Sequence, residues 1–235
     1  MALLLLPNLL GALPSHHAYL PESVDQAVAG LDGLIAESER AGRRYLGRFH
    51  TKKPAHLIPI AVVDGKTRET DIDFYLEPIA KGERWGYVSD AGLPCIADPG
   101  AKIVARARQR GLSIEAFVGP SSILLALMQS GLPGQNFAFY GYLERDSEAL
   151  KQRLQFLEKR SREEKSTQIF MEAPHRNIET FSTLVRTLSP STLLCVALDL
   201  TLPTEQILCQ PIGRWRGAGV PDLDRPALFL FFTLS

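Results

Sequence analysis

Short apolar runs alternate with amphipathic stretches through the first half of the chain. "ALLLL" at residues 2–6 is apolar without interruption, the pattern of a strand buried on both faces. "ESVDQAVAGL" places Val24, Ala27, Val28 and Leu31 at helical spacing, and "GLIAE" reads as a short buried strand before the arginine-rich "RAGRRYLGRF". "HLIPIAVV" predicts extended chain and "ETDIDFYLEPIAKG" a helix ending at Gly82. A strand over 84–88, a helix over 100–110 and the strand "LSIEAFV" follow. Alternation of this kind predicts a mainly parallel sheet covered by helices.

The rhythm changes at Val118. "GPSSILLALMQSGLP" predicts an apolar helix that closes at Gly131, with Ser121 or Ser122 as its N-cap. "NFAFYGYL", "STQIFME", "STLLCVALDL", "EQILCQPI" and "PALFLFFTL" are strand candidates, separated by a charged helix over 146–160 and a second helix from Pro174 to Leu188. The expected fold class is α/β, in two α/β domains that each carry a central sheet flanked by helices. The expected boundaries are 1–117 and 118–235, the second domain being α+β with a mixed sheet.

Composition refines this little. The chain has 235 residues, 45% hydrophobic, with 26 Lys and Arg against 26 Asp and Glu. No net field draws it to nucleic acid or anionic lipid, so any basic surface is local. One such stripe exists: Arg40, Arg43, Arg44, Arg48, Lys52 and Lys53 follow one another with no acid between them. It suits phosphate contacts, or is simply a solvated helix face. Cys95, Cys195 and Cys209 show no CxxC spacing, which suggests neither a disulfide framework nor zinc and fits a reducing cytoplasm. "MALLLLPNLLGALP" lacks a basic flank and is broken by Pro7, so it reads as a strand rather than a signal peptide. No stretch is long enough to span a bilayer.

Several chemistries are disfavoured. There is no G-x-G-x-x-G after a strand and no G-x-x-x-x-G-K-[ST], so the glycine devices for cradling diphosphates are missing. The five histidines, at 16, 17, 50, 56 and 175, are scattered and form no H-E-x-x-H, so no metal is expected. "GPSS" is not a nucleophile elbow. What remains is a set of broken turns after strands: "LLLPNLLG", "SDAGLPCIADPG", "VGPSS", "MEAPHR", "LDLTLPTEQ" and "CQPIG". At strand ends an α/β sheet offers main-chain N–H and C=O groups to a ligand.

"VSDAGLPCIADPG", followed by "GPSS", "GLP" and "MEAPHR", resembles the tetrapyrrole-methylase-like family of S-adenosylmethionine (SAM)-dependent methyltransferases. Within it the sequence is most similar to the bacterial enzymes that methylate a cytidine 2′-hydroxyl in small-subunit ribosomal RNA. The likeness is strongest from Trp85 to Arg176. It implies SAM in a cleft between two domains, a ribosomal RNA partner, a homodimer, and no need for a metal. Carried over by motif, Ser89, Asp90, Gly92 and Leu93 would border the methionine and sulfonium part of SAM. Pro120, Ser121 and Ser122 match the second contact segment, Met171 the strand end before "PHR", Leu198 and Pro211 the later strands beside the adenosine, and Pro7 the first strand end.

A hydroxyl acceptor must lose its proton, which calls for a carboxylate or histidine. Glu37, Glu172 and His175 are the catalytic candidates, and Arg40, Arg43, Arg44 and Arg176 the candidates for RNA contact. Plainer roles stand beside these. Asp90 and Asp98 could cap turns, Ser121 or Ser122 could simply cap a helix, and Met171 could belong to the core. His175 could bond its own turn, and the acids could do no more than hold arginines. The chain also departs from the ribosomal RNA group, with "LPNLLG" for a T-P-x-G-N turn, "ESER" for E-D-T-R and "DLTL" for E-L-T-K, keeping Glu37 and Arg40. Alternative functions are methylation of a tetrapyrrole or a protein side chain, or non-catalytic binding of SAM or RNA.

Overall fold

The structure, a computed structural model, describes residues 2–234. The chain divides into two compact units, Met1–Ser121 and Ser122–Ser235.

The first unit carries strands β1 (Ala2–Leu6), β2 (Gly33–Ala36), β3 (Ile60–Val62), β4 (Trp85–Val88) and β5 (Ser113–Ala116), in the order β3-β2-β4-β1-β5. The described pairings are all parallel. Helices α1 (Glu22–Ala29), α2 (Glu39–Leu46), α3 (Glu69–Ala80) and α4 (Gly100–Gln109) cover both faces. This explains why β1 is apolar throughout. Leu4 and Leu6 pack with Val24, Val28, Tyr45 and Leu46 on one face, and Leu3 with Ile72, Leu76 and Ile103 on the other. Each such leucine contributes about 1.5–3 kcal/mol on burial, so neither face tolerates a polar residue.

The extended chain expected over "HLIPIAVV" forms only in part. Ala55–Leu57 is a 3-10 turn and only Ile60–Val62 pairs. Pro59, with no N–H, confines ladder donors to the residues after it.

The second unit contains α5 (Ser122–Ser130), β6 (Phe137–Tyr142), α6 (Ser147–Glu164), β7 (Thr167–Glu172), α7 (Asn177–Thr187), β8 (Leu193–Leu198), β9 (Gln206–Pro211), α8 (Ile212–Trp215) and β10 (Ala227–Phe232). Its mixed sheet runs β6-β7-β10-β8-β9. Only β6 and β7 pair parallel, while β10 runs antiparallel to β7 and β8, and β9 antiparallel to β8. Phe170, Val196, Phe229 and Phe231 meet Leu150, Leu154 and Leu157 of α6 and Phe181 and Leu184 of α7 in one core. The α6 N-terminus is capped by the Asp146 carboxylate, which accepts from the Ala149 amide. The helix runs past 160 to Glu164 and stops where Lys165 turns left-handed at φ 49°. Helix α8, four residues long, is too short to leave a periodic signal. Among the described residues no helix is long and apolar enough to cross a membrane.

Candidate functional site

In the first unit one side chain ties the turn after β1 to the loop after β4. Asn8, two residues past β1 and 5% exposed, donates through Nδ2 to the carbonyls of Ser89 (2.9 Å) and Asp90 (3.0 Å). Its amide donates to the Gly92 carbonyl at 2.8 Å, and its Oδ1 accepts from Leu9 N and from Arg48 Nη1. The side-chain and main-chain N–H groups of Asn8 therefore tie the β1 turn to the loop after β4, while its Oδ1 holds Leu9 and Arg48. Asn8 was not among the candidates, although "PN" after a buried strand is a turn signal.

The loop after β4 is held from within. Ser89 is buried and donates through Oγ to the Ala91 carbonyl. Gly92 sits at φ 68° against Leu10, where a Cβ would be strained. Cys95 and Ala97 also take left-handed backbone, at φ 69° and 63°, a strain of about 1–3 kcal/mol each. Asp98 offsets it by accepting from Cys95 N (2.8 Å), Gly100 N (2.7 Å) and the Tyr87 hydroxyl (2.9 Å). The turn-capping role for Asp98 is the one observed.

Glu37 follows β2 directly and accepts from the Asp90 amide at 2.8 Å. Burial pushes its carboxyl above the ordinary range, aided by the nearby charges of Asp90 and Asp98 and opposed by that hydrogen bond. Among the described residues no ion pair engages Glu37, Asp90 or Asp98. Pro7 is buried, with its carbonyl accepting from Tyr45 Oη at 3.3 Å. Gly119 packs so closely on Pro7 that a Cβ would lie 2.1 Å from the Pro7 Cβ, and the Pro120 carbonyl approaches Gly92. Leu93 is half-buried beside Gly119. The first unit thus gathers Pro7, Glu37, Ser89, Asp90, Gly92, Leu93 and Pro120 at one sheet edge. Ser121 and Ser122 lie where the chain passes from one unit to the next.

In the second unit Glu172 and Leu198 both pair with Ala227, so they share one edge, with Met171 adjacent. Pro211 does not join them. It pairs with Leu193 at the far end of β8, about 17 Å along the strand from Leu198, because antiparallel β9 starts where β8 stops. Gln206 is the β9 residue opposite Leu198, and its Oε1 accepts from Arg225, which also pairs with Asp199 at 3.1 Å. Leu198 itself is fully buried in the core, leaving only its main chain for a ligand.

Glu172 is 5% exposed and fully engaged. Oε1 accepts from Ala173 N at 2.8 Å, and Oε2 lies 3.3 Å from Thr180 Oγ1 and 3.3 Å from Arg176 Nη2. The acid holds its own turn and its own arginine, and Arg176 also donates to the Glu144 carbonyl. These two residues therefore take the plainer roles. His175 is exposed and lines a cavity of about 390 Å³ with Tyr142, Arg145, Glu172 and Arg176. Tyr142 is 61% exposed and, like Arg145, was not anticipated from the sequence.

The basic stripe divides. Arg43 donates to the carbonyls of Ala55 (2.8 Å) and Ile58 (2.7 Å), Arg48 to Asn8, and Lys53 to Asp32. Arg43 thus holds the 3-10 turn rather than offering itself to RNA. Arg40, Arg44 and Lys52 are exposed and in no ion pair among the described residues. Of the histidines taken as scattered, His16 and His17 come together with Asp25, their ligand atoms within 4.8 Å of one another. His16, buried against Phe49, bonds Asp25 at 2.8 Å and so fastens the segment before α1 to that helix.

A family profile described as "Tetrapyrrole (Corrin/Porphyrin) Methylases" matches residues 11–214. A protein of Xylella fastidiosa named "Ribosomal RNA small subunit methyltransferase I" is 33% identical over 175 residues, 74% of this chain and 61% of its own length. The Bacillus subtilis protein of the same name is 34% identical over 76% of this chain and 58% of its own. The chain therefore spans about three-fifths of the length of these relatives. Among solved structures, the methyltransferase CobJ superposes with a TM-score of 0.66 at 17% identity, covering 99% of this chain and 95% of that one. A uroporphyrin-III C-methyltransferase from Thermus thermophilus, complexed with S-adenosylhomocysteine, gives 0.54 at 16% identity, with 99% and 97% covered. At such identities the likeness is one of fold.

Proposed function

The chain belongs to the tetrapyrrole (corrin/porphyrin) methylase family, and from this we propose that it is a SAM-dependent methyltransferase whose acceptor is a ribose 2′-hydroxyl of ribosomal RNA. The observation that carries the cofactor is the edge of the first unit's sheet. There main-chain groups of Pro7, Ser89, Asp90, Gly92, Leu93 and Pro120 converge beside the carboxylates of Glu37, Asp90 and Asp98, which pair with no cation among the described residues. A site of that charge suits a sulfonium, and the family member complexed with S-adenosylhomocysteine supports the assignment. Bound SAM supplies an activated methyl on positive sulfur, so orientation is most of what the protein must provide, and no step calls for a metal. Ser121, next to Pro120 in the chain, joins the proposed set.

Glu37 is the proposed proton acceptor. It is half-buried, in no ion pair among the described residues, and burial raises its carboxyl above the ordinary range, which suits a general base better than the fully engaged Glu172. The acceptor RNA rests on the names of the relatives, with Arg40 and Arg44 offered to phosphates and the Tyr142, Arg145 and His175 cavity to a nucleotide. A cytoplasmic homodimer belongs to the same proposal. Met128, apolar and 77% exposed on α5, is the kind of residue a second copy would cover.

The test is methyl-labelled SAM incubated with small ribosomal subunits, porphyrinoids and total protein. Label should enter RNA, and Glu37→Gln should reduce it by about 10²-fold or more with SAM affinity kept. Label in porphyrinoid or protein, or none at all, would overturn the acceptor, and full activity of Glu37→Gln would overturn the base.

A further inference from the structure

Two of the three cysteines meet across a strand pair. The β8–β9 register sets Cys195 directly opposite Cys209, so both side chains leave the same face of the sheet. Opposed residues hold their Cβ atoms about 4.5–5.5 Å apart, and a disulfide needs about 3.5–4.5 Å, a gap that a small strand adjustment closes. Their surroundings differ. Cys195 is fully buried on an inner strand, while Cys209 is exposed on β9, an edge strand of the sheet. The exposure of Cys209 on an outer strand leaves its thiol open to a small molecule from solvent.

We propose that Cys209 and Cys195 form a dithiol site for low-molecular-weight disulfides, with Cys209 the attacking thiol and Cys195 the resolving one. The Cys209 thiolate attacks one sulfur of the incoming disulfide, whose S–S bond breaks and whose other half leaves as a thiolate. A mixed disulfide on Cys209 remains. Cys195 then gives up its proton and attacks the Cys209 sulfur, expelling the second half and forming the Cys195–Cys209 bond. The two protein thiols are oxidised and the incoming disulfide is reduced to two thiols, so electrons and protons balance. The thiol pair is polarised in the right sense. A hydrogen bond from Cys195 holds Cys209 down to about 7 and pushes Cys195 up. Cys95 is a contrasting control, pushed up to about 12 by burial and the nearby Asp98 charge. Closing the bond would fasten edge strand β9 to β8 over the stretch between Leu198 and Pro211.

The probe is the chromogenic disulfide 5,5′-dithiobis(2-nitrobenzoate), added to the full chain at neutral pH. The native protein should release both halves of one probe molecule in a rapid phase and end with a mass lowered by two hydrogens, a result that needs no variant. Cys195→Ser should release a single half and retain the adduct, and Cys209→Ser should lose the rapid phase, slowing at least about tenfold. A stable adduct on the native chain, or a rapid phase that survives Cys209→Ser, would overturn the site. Methyl transfer enters none of these readouts, so the outcome is independent of the proposed function.

Discussion

Glu37 shows how one side chain is defined by the backbone around it. Its carboxylate takes a proton-bearing amide from Asp90 yet sits where burial disfavours charge, and burial prevails, so its carboxyl is raised. The stability consequence has a definite sign. When the folded value exceeds the unfolded one, the unfolded chain releases this proton first, and stability falls as pH rises through that interval. Glutamine keeps an oxygen to accept from Asp90 N and has no proton to lose. The melting temperature of Glu37→Gln relative to the native chain should therefore rise between pH 4 and pH 7, and a difference that stays flat or falls in paired thermal melts would contradict the burial argument.

At the scale of elements, the strand-end turns are held by close approach as much as by hydrogen bonds. Residues 117–121 lie directly on the β1 turn because Gly119 lets the chain meet Pro7, with room for no Cβ. Gly119→Ala must push the two segments apart. Overpacking of this kind costs about 1–3 kcal/mol, which denaturant unfolding should register as a lowered midpoint with unchanged m-value. SAM affinity should fall alongside, since the Pro7 and Pro120 turns belong to the proposed cofactor site. An alanine variant that matches the native chain in both respects would mean the turns adapt independently.

For the whole molecule, charge decides how RNA could be held. Positive and negative residues balance, and the stripe of six cations keeps only Arg40, Arg44 and Lys52 free of internal partners. About three phosphate contacts on single-stranded RNA correspond to a slope of roughly −2 in log affinity against log salt. The double variant Arg40→Ala/Arg44→Ala should make that slope shallower by about 1.4. Arg43→Ala should instead destabilise the fold, since its guanidinium carries the Ala55 and Ile58 carbonyls. A slope untouched by the double variant would remove this helix from the RNA surface.

Apolar periodicity, turn residues and the run from Trp85 to Arg176 were enough to give the strands, most helices, the mixed second sheet and the family. These are local properties, fixed by which residues a pleated or helical backbone can bury. Tertiary structure alone decided which candidates share an edge. Asn8 joins the turn after β1 to the loop after β4 across more than eighty positions, a pairing no local window contains. Pro211 lies at the rim opposite Leu198 because an antiparallel strand returns there. Glu172 and Glu37 look alike as letters at strand ends. One is spent on Arg176 and its own turn and the other meets no cation among the described residues, because the role of a charge is set by what the fold brings within a few ångström of it.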